Sequence, residues 1–369
     1  MDDFLMRIVI ITKNLPPAVC GIGDHSVMLG EAIRAKGHSV TIIAGNGDIG
    51  ADRCVEDNFW LPERIGRLAE RLKALKPDHV ILQYTPLMYA LQGGRQNPAL
   101  AAFWAACSRE YRTSIILHET YFRACWHLPS LIRGTFEKKM LKAMVLSSHN
   151  VFTASQPLLD EVKGWSGSAR VCLLPIGANF VFQPVDRERL RTEWGIASGE
   201  IVLALFGGGK INLRKLSGYI DATDALLREQ GIGIKWLLLG GVKKEFFSLK
   251  SPVISPGFLP SKDLGEWLQL ADIFLMPQIL GLSAKRGTLM AAMQHGLPVV
   301  GTSGVMTDKF WEDLQGVVLV RDREGFAEAV LSLSKDSSRR LQMGHANRDY
   351  HDNFLAWHKI ADKLLGFAV

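Results

Sequence analysis

The sequence predicts two α/β domains, each a doubly wound parallel sheet, and three observations carry the prediction. Strand-sized apolar runs alternate with helical patterns along most of the chain. The alternation breaks once, at Leu174 to Asp186 (LPIGANFVFQPVD), where two prolines and a glycine interrupt any periodicity, and then it starts again. A chain of 369 residues with 47% hydrophobic residues is also too long for one ordinary core and suits two.

Arg7 to Thr12 reads as a buried strand, and the loop Lys13 to Gly23 leads into a helix from about Asp24 to Gly37. Asp24 is the expected N-cap and Gly37 the residue just past the end. Ser39 to Ala44 completes a β-α-β unit, and further strands are expected at His79 to Gln83, Ser114 to His118, Val151 to Thr153 and Val171 to Leu174. After the break come a strand at Ile201 to Phe206, a turn at Gly207, Gly208 and Gly209, a helix from about Leu213 to Glu229, and a strand at Lys235 to Leu239. Ile273 to Met276 is a short buried strand followed by a polar loop, a helix from about Gly287 to His295, and a strand at Val299 and Val300. A linker near Phe182 separates domains of residues 1–182 and 183–350. Ligands bind beyond the carboxyl ends of strands in such sheets, so two facing domains predict a cleft site.

Composition narrows the function class. No apolar run approaches the roughly 18 residues of a membrane span, and Asp2 and Asp3 stand where a signal peptide is basic, so a cytoplasmic location is expected. Five cysteines, odd in number and without C-x-x-C spacing, suggest neither a disulfide framework nor a zinc site. The net charge of +6 is spread along the chain without a nucleic-acid motif, which favours phosphate-bearing ligands or a membrane surface over nucleic acid. Arg133, Lys138, Lys139 and Lys142 in Leu131 to Leu146 form either a basic amphipathic face for peripheral membrane contact or an ordinary solvated helix. No carboxylate pair stands out as acid and base, and no D-x-D or His/Cys spacing suggests a metal. No metal and no cofactor are expected.

The segment Ala271 to Thr302, ADIFLMPQILGLSAKRGTLMAAMQHGLPVVGT, is the most informative. A loop entering a helix after a strand gathers unpaired N–H groups and the positive end of the helix dipole, a natural diphosphate site. Arg286, Gly287, Thr288 and Leu289 stand at that entry, with Arg286 able to bond a phosphate bidentately. Lys210 and Arg214 open the helix after the glycine turn, where cations oppose the dipole at a cost of about 0.3 to 1 kcal/mol, so a phosphate role is expected of them. Gly21 and Gly23 permit close backbone approach, either to a phosphate or for tight packing. Gln83 and Tyr84 end a strand and are expected to face the acceptor.

Ala271, Asp272, Phe274, Pro277, Ala292, Met293, Gly296, Pro298, Val299, Val300 and Thr302 fall in register with retaining GT-B glycosyltransferases of family 4, which this segment resembles. The family's two glutamates fall on Ser283 and Ala291. The resemblance extends to Pro16, Pro17, Gly21, Ile22, Gly23 and Ser26, to Pro175, Gly177, Phe182 and Pro184, and to Phe354 to Leu365, which looks like a helix within about 351–369 that crosses back to the N-terminal domain. It implies that His118 is the strand-end histidine beside the donor sugar, and that Phe258 and Leu259 lie in the base-recognition turn. It also implies that Arg214 matches a family lysine, with Lys210 standing in beside Gly209 for a family arginine. The implied activity is retaining, metal-independent transfer of a hexose from a nucleoside diphosphate sugar, such as UDP-glucose, to a glycan or lipid-linked glycan in polysaccharide biosynthesis. The replaced glutamates raise an alternative, a catalytically silent GT-B nucleotide-binding scaffold or partner subunit. A sugar-nucleotide epimerase is a lesser one.

Overall fold

The computed structural model describes residues 5–367 apart from 19, 122–127, 166, 168, 181, 208–209 and 258, and it leaves out the side chains of 128–133, 210–215 and 261–262. The chain forms two compact units, Met1–Ile176 with Trp357–Val369, and Gly177–Ala356. The first division falls upstream of the linker position near Phe182.

In the first unit the elements run β1 (Arg7–Asn14), α1 (Gly21–Arg34), β2 (Ser39–Asn46), β3 (Arg53–Val55), α2 (Ile65–Leu75), β4 (His79–Tyr84), α3 (Pro98–Glu110), β5 (Arg112–Leu117), α4 (Leu128–Ser147), β6 (Asn150–Thr153), α5 (Gln156–Lys163) and β7 (Arg170–Leu173). The sheet order is β3-β2-β1-β4-β5-β6-β7, and every pair is parallel. Central strands covered on both faces must be apolar throughout, and Ile8 to Ile11 are all buried.

The second unit contains α6 (Arg187–Glu193), β8 (Ile201–Gly207), α7 (Lys210–Glu229), β9 (Ile234–Gly240), β10 (Val253–Gly257), α8 (Ser261–Leu268), β11 (Ile273–Met276), α9 (Gly287–Gln294), β12 (Val299–Thr302), α10 (Phe310–Asp313), β13 (Val317–Val320), α11 (Arg323–Lys335) and α12 (Ser337–Tyr350). Its sheet, β10-β9-β8-β11-β12-β13, is also wholly parallel. Each sheet thus starts at its centre, adds strands to one edge, then crosses over to build the other. Such a reversal opens a crevice at the carboxyl ends of the two central strands.

Helix α13 (Trp357–Leu365) returns to the first unit. Its apolar stripe, Ile360, Ala361, Leu364 and Leu365, packs with Ile8, Ile10, Val27, Leu29 and Ile33. The crossing therefore begins at Trp357, after the residues near 351 where the sequence suggests it.

Helix α1 begins earlier than the sequence suggests. Cys20 is the extended N-cap residue, and Asp24 lies in the first turn with its N–H donating to the Cys20 carbonyl at 3.0 Å. Asp24 is therefore not the cap; its carboxylate complements the helix dipole from inside the turn. A Cβ on Gly23 would stand 2.5 Å from the Asn14 carbonyl oxygen, so this glycine lets α1 close onto the end of β1.

Candidate functional site

In the second unit, β11 is buried along its length and feeds a loop that is tied to β12. The Thr302 hydroxyl accepts from the Gln278 N–H at 2.7 Å and donates to the Gln278 carbonyl at 2.6 Å, and the Leu282 N–H donates to the Thr302 carbonyl at 2.8 Å. Gly281 has φ +93, and a side chain there would strike Gly304 and Thr307. The Ala284 N–H donates to the buried Asp308 carboxylate at 2.6 Å. These bonds hold the loop before α9 rigidly against the sheet.

The loop ends at Arg286, the extended N-cap residue of α9, whose side chain is exposed. Gly287 and Thr288 follow as the first helical residues, whose N–H groups have no helical acceptor behind them. Leu289 is different, because its N–H donates to the Arg286 carbonyl at 3.0 Å and its side chain is fully buried in the core. That revises the expected diphosphate grip to Arg286, Gly287 and Thr288. A Cβ on Gly287 would stand 2.5 Å from Asn179 Oδ1, so the glycine admits Asn179 to the helix entry. Asn179 Oδ1 and the Ser283 hydroxyl are both buried without a hydrogen-bond partner among the described residues. Unsatisfied polar atoms are costly in a native interior, and two beside a helix N-terminus suit a polar ligand. Asn179 carries no signal in the sequence; only the packing of Gly287 brings it to notice.

The two positions that align with the family's glutamates differ in environment. Ser283 is 2% exposed. Ala291 is fully buried in the apolar cluster that includes Phe274, Leu289, Met293 and Val299. Its carbonyl accepts from both the backbone N–H and the Nδ1–H of His295, at 3.0 and 2.7 Å. Asp272, part of the same motif, is structural: it takes Arg187 at 2.6 Å, Arg191 at 3.1 Å and the Val202 N–H at 2.8 Å, tying α6 to the sheet.

Lys210 begins α7 and Arg214 lies in its second turn, but their side chains, with Gly208 and Gly209, are outside the described residues. Phe258 is likewise outside them. Leu259 is half-buried against the unit's core, two residues after the left-handed Gly257 (φ +80).

In the first unit the ends of β4 and β5 bring three polar side chains together. His118 Nε2 lies 2.7 Å from Gln83 Oε1, and Gln83 Nε2 lies 3.2 Å from His25 Nδ1. With the amide so placed, His118 donates from Nε2 and keeps a lone pair on Nδ1, and Gln83 in turn donates to His25. The rings of His25 and His118 meet edge to face at 5.0 Å, and Trp357 meets His25 at 5.1 Å. Burial holds His118 neutral, with its pKa lowered to about 4, and burial, with the repulsion that a second imidazolium beside His118 would meet, holds His25 well below its usual value. Gln83 is fully buried and Tyr84 is 2% exposed. The expectation that these two face an acceptor is therefore corrected: Gln83 fixes the tautomer of His118, and Tyr84 is an interior residue. Gly21 is the exposed first residue of α1, whereas Gly23 is buried in the packing described above. Sequence reasoning missed His25, which has no motif around it beyond its place in the first turns of α1.

Among the described residues no group of three or more His, Cys, Asp or Glu side chains is arranged to hold a metal ion, and no helix is long and apolar enough to cross a membrane.

Residues 201–336 match the family described as glycosyl transferases group 1. WcaL of Escherichia coli (strain K12), assigned as a colanic acid biosynthesis glycosyltransferase, is 34% identical over 88 residues, covering 21% of this chain. The chain spans about a fifth of the length of that relative, 22%. Among solved structures, sucrose-phosphate synthase from Thermosynechococcus elongatus is similar with a TM-score of 0.72 at 16% identity over 98% of both chains. A trehalose-6-phosphate synthase studied for glycosyl transfer with retention is similar with a TM-score of 0.64 at 11% identity, again over 98% of both. The fold is GT-B, and its second unit carries a glycosyltransferase-type domain.

Proposed function

We propose that this protein is a retaining, metal-independent glycosyltransferase that moves a hexose from a nucleoside diphosphate sugar, with UDP-glucose or a related UDP-sugar as donor, onto a glycan or lipid-linked glycan. The observation that carries the reading is the entry to α9 inside the matched domain, where Arg286, the N–H groups of Gly287 and Thr288, and the polar atoms of Ser283 and Asn179 gather at the carboxyl end of β11. Negative charge accumulates on the departing diphosphate, so fixed donors at this point lower the barrier most. Lys210 and Arg214, near the start of α7, supply further positive charge in the proposal.

In this scheme the acceptor oxygen bonds to the anomeric carbon on the face from which the diphosphate leaves, and its proton passes to the departing phosphate oxygen. Neutral His118, its tautomer set by Gln83, keeps a lone pair on Nδ1 that suits a hydroxyl donor, and it does not act as a cation. The family's two carboxylates are not needed for charge neutralisation, because the donor already carries the negative charge. Phe136 and Leu146 are exposed on α4 beside Lys138, Lys139 and Lys142, which supports peripheral contact with an anionic cytoplasmic membrane surface, where a lipid-linked acceptor would be found.

The test is release of UDP from UDP-glucose by the purified chain in EDTA, alone and with glycan acceptors, repeated for GDP- and ADP-sugars. Metal-free turnover that falls with Arg286→Ala supports the proposal. The burial of Ala291 favours a second reading, a silent nucleotide-binding scaffold. Donor binding with no turnover across donors and acceptors would select it.

A further inference from the structure

The second unit also contains a cavity of about 660 Å³, within the usual range for small-ligand sites, that is separate from the α9 entry. Asp272 and Pro298 line it, and these residues immediately precede β11 and β12. The cavity therefore lies at the amino ends of strands whose carboxyl ends carry the proposed donor loop. At about 3.3 Å per residue, strands of this length separate the two ends by roughly 13 Å.

One wall is a single face of α12: Ser337, Arg340, Leu341, Gly344, His345 and Arg348, spaced i, i+3, i+4, i+7, i+8 and i+11. A helix packed on a domain ordinarily turns an apolar stripe inward. Met343 on another face of α12 packs into the core, but the cavity face carries two arginines and a histidine, and the one large apolar residue on that face, Leu341, is 66% exposed. Arg187 of α6 also lines the cavity, where Asp272 is the single carboxylate of the lining and is already shared between Arg187 and Arg191. Three guanidinium groups thus face one committed carboxylate. Arg340 is held by the Leu333 and Ser334 carbonyls at 2.6 and 3.0 Å, Arg348 lies 4.7 Å over the Phe182 ring, and Arg187 also donates to the Gln269 carbonyl at 2.8 Å, so all three are fixed in orientation. His295 supplies an independent sign. It is 7% exposed, its Nδ1–H is used by Ala291, and its Nε2 makes no hydrogen bond of normal geometry among the described residues, although the Gly265 backbone stands within reach of the ring. In the neutral ring that nitrogen is a lone pair and calls for a donor such as a hydroxyl.

We propose that this cavity is a second ligand site, for a small phosphate-bearing polyol of the sugar phosphate class. The phosphate takes the forks of Arg340 and Arg348, a ring hydroxyl donates to His295 Nε2, and the apolar side of the sugar rests against Phe182. The site stands independently of the donor chemistry proposed above.

Calorimetric titration of the full chain with glucose 6-phosphate, inorganic phosphate and glucose at fixed ionic strength tests it. Saturable one-to-one binding of glucose 6-phosphate is expected, with the other two weaker by roughly tenfold or more because each lacks one half of the recognition. The double variant Arg340→Gln, Arg348→Gln should bind at least about tenfold more weakly, and Arg286→Ala should bind as the parent does. If the double variant loses its circular dichroism signal, Arg348→Lys, which keeps charge but loses the fork, takes its place and should still weaken binding. No saturation at millimolar glucose 6-phosphate overturns the proposal. So does equal binding by a folded variant, loss of binding in Arg286→Ala, or sedimentation with phosphatidylglycerol vesicles without binding of the free sugar phosphate.

Discussion

Replacing Ala291 by glutamate tests whether position 291 belongs to the donor site or to the core. The alanine is fully buried among apolar neighbours, within the cluster of Phe274, Leu289, Met293 and Val299. A glutamate confined there is an uncompensated buried charge, which costs about 3 to 5 kcal/mol. For a unit the size of Gly177–Ala356, each kcal/mol shifts the melting temperature by about 2 to 4 °C, so the drop should be roughly 6 to 20 °C. Burial raises the folded-state pKa of such a carboxyl above its unfolded value near 4.3. The folded variant then holds the extra proton, its deficit relative to the parent is small below that unfolded value, and the deficit grows as pH rises. Thermal unfolding of parent and Ala291→Glu at pH 5 and pH 8, with calorimetric titration of UDP-glucose, measures both effects. An unchanged melting temperature together with tenfold tighter donor binding would refute the assignment of this position to the core.

Ser283→Ala should leave thermal stability unchanged or slightly raised, because the hydroxyl has no partner among the described residues. The same change should raise KM for the donor by roughly 2- to 12-fold through one neutral hydrogen bond. A melting temperature several degrees lower with normal KM would mean the hydroxyl serves the fold alone. Gly23→Ala should destabilise the first unit by about 1 to 3 kcal/mol, since its Cβ would stand 2.5 Å from a backbone oxygen that cannot rotate away; urea unfolding reads this directly. His118, with its pKa lowered to about 4 by burial, takes up a proton on unfolding between that value and the unfolded value near 6.5. Stability from this group is therefore fully present above about 6.5 and is lost as pH falls toward 4. The urea midpoint should drop from pH 7 to pH 5, and drop less in His118→Gln; equal drops would assign the dependence to other groups.

The alternation of strand and helix was legible because buried parallel strands must be apolar throughout, as in Ile8 to Ile11 and Ile273 to Met276. The edge strands β3 (RCV) and β10 (VISPG) were not, because each is short and half-exposed and so has no reason to carry an apolar run. The start of α1 was misread at Asp24 because an acidic residue suits both a cap and a first turn, and only backbone dihedrals separate the two. The α9 entry could be located from the order strand, loop, helix. Its finer membership could not. Leu289 spends its N–H on Arg286, and Asn179 arrives from more than a hundred residues away through the missing side chain of Gly287. Gln83 looked like a strand-end residue open to ligand, yet His118 just past the adjacent strand β5 and His25 on α1 take both ends of its amide. Such pairings depend on which side chains meet in three dimensions, and no spacing in the chain records them.

The proposed activity rests most directly on whether the entry to α9 grips a departing diphosphate without metal. Steady-state UDP release from UDP-glucose in EDTA, compared between the parent and Arg286→Ala, measures this. Removing a charged hydrogen bond of about 1.5 to 3 kcal/mol should lower kcat/KM by roughly 10- to 150-fold while the melting temperature of the ligand-free chain stays unchanged. Equal kcat/KM in the two proteins, or turnover that appears only when a divalent cation is restored, would contradict it.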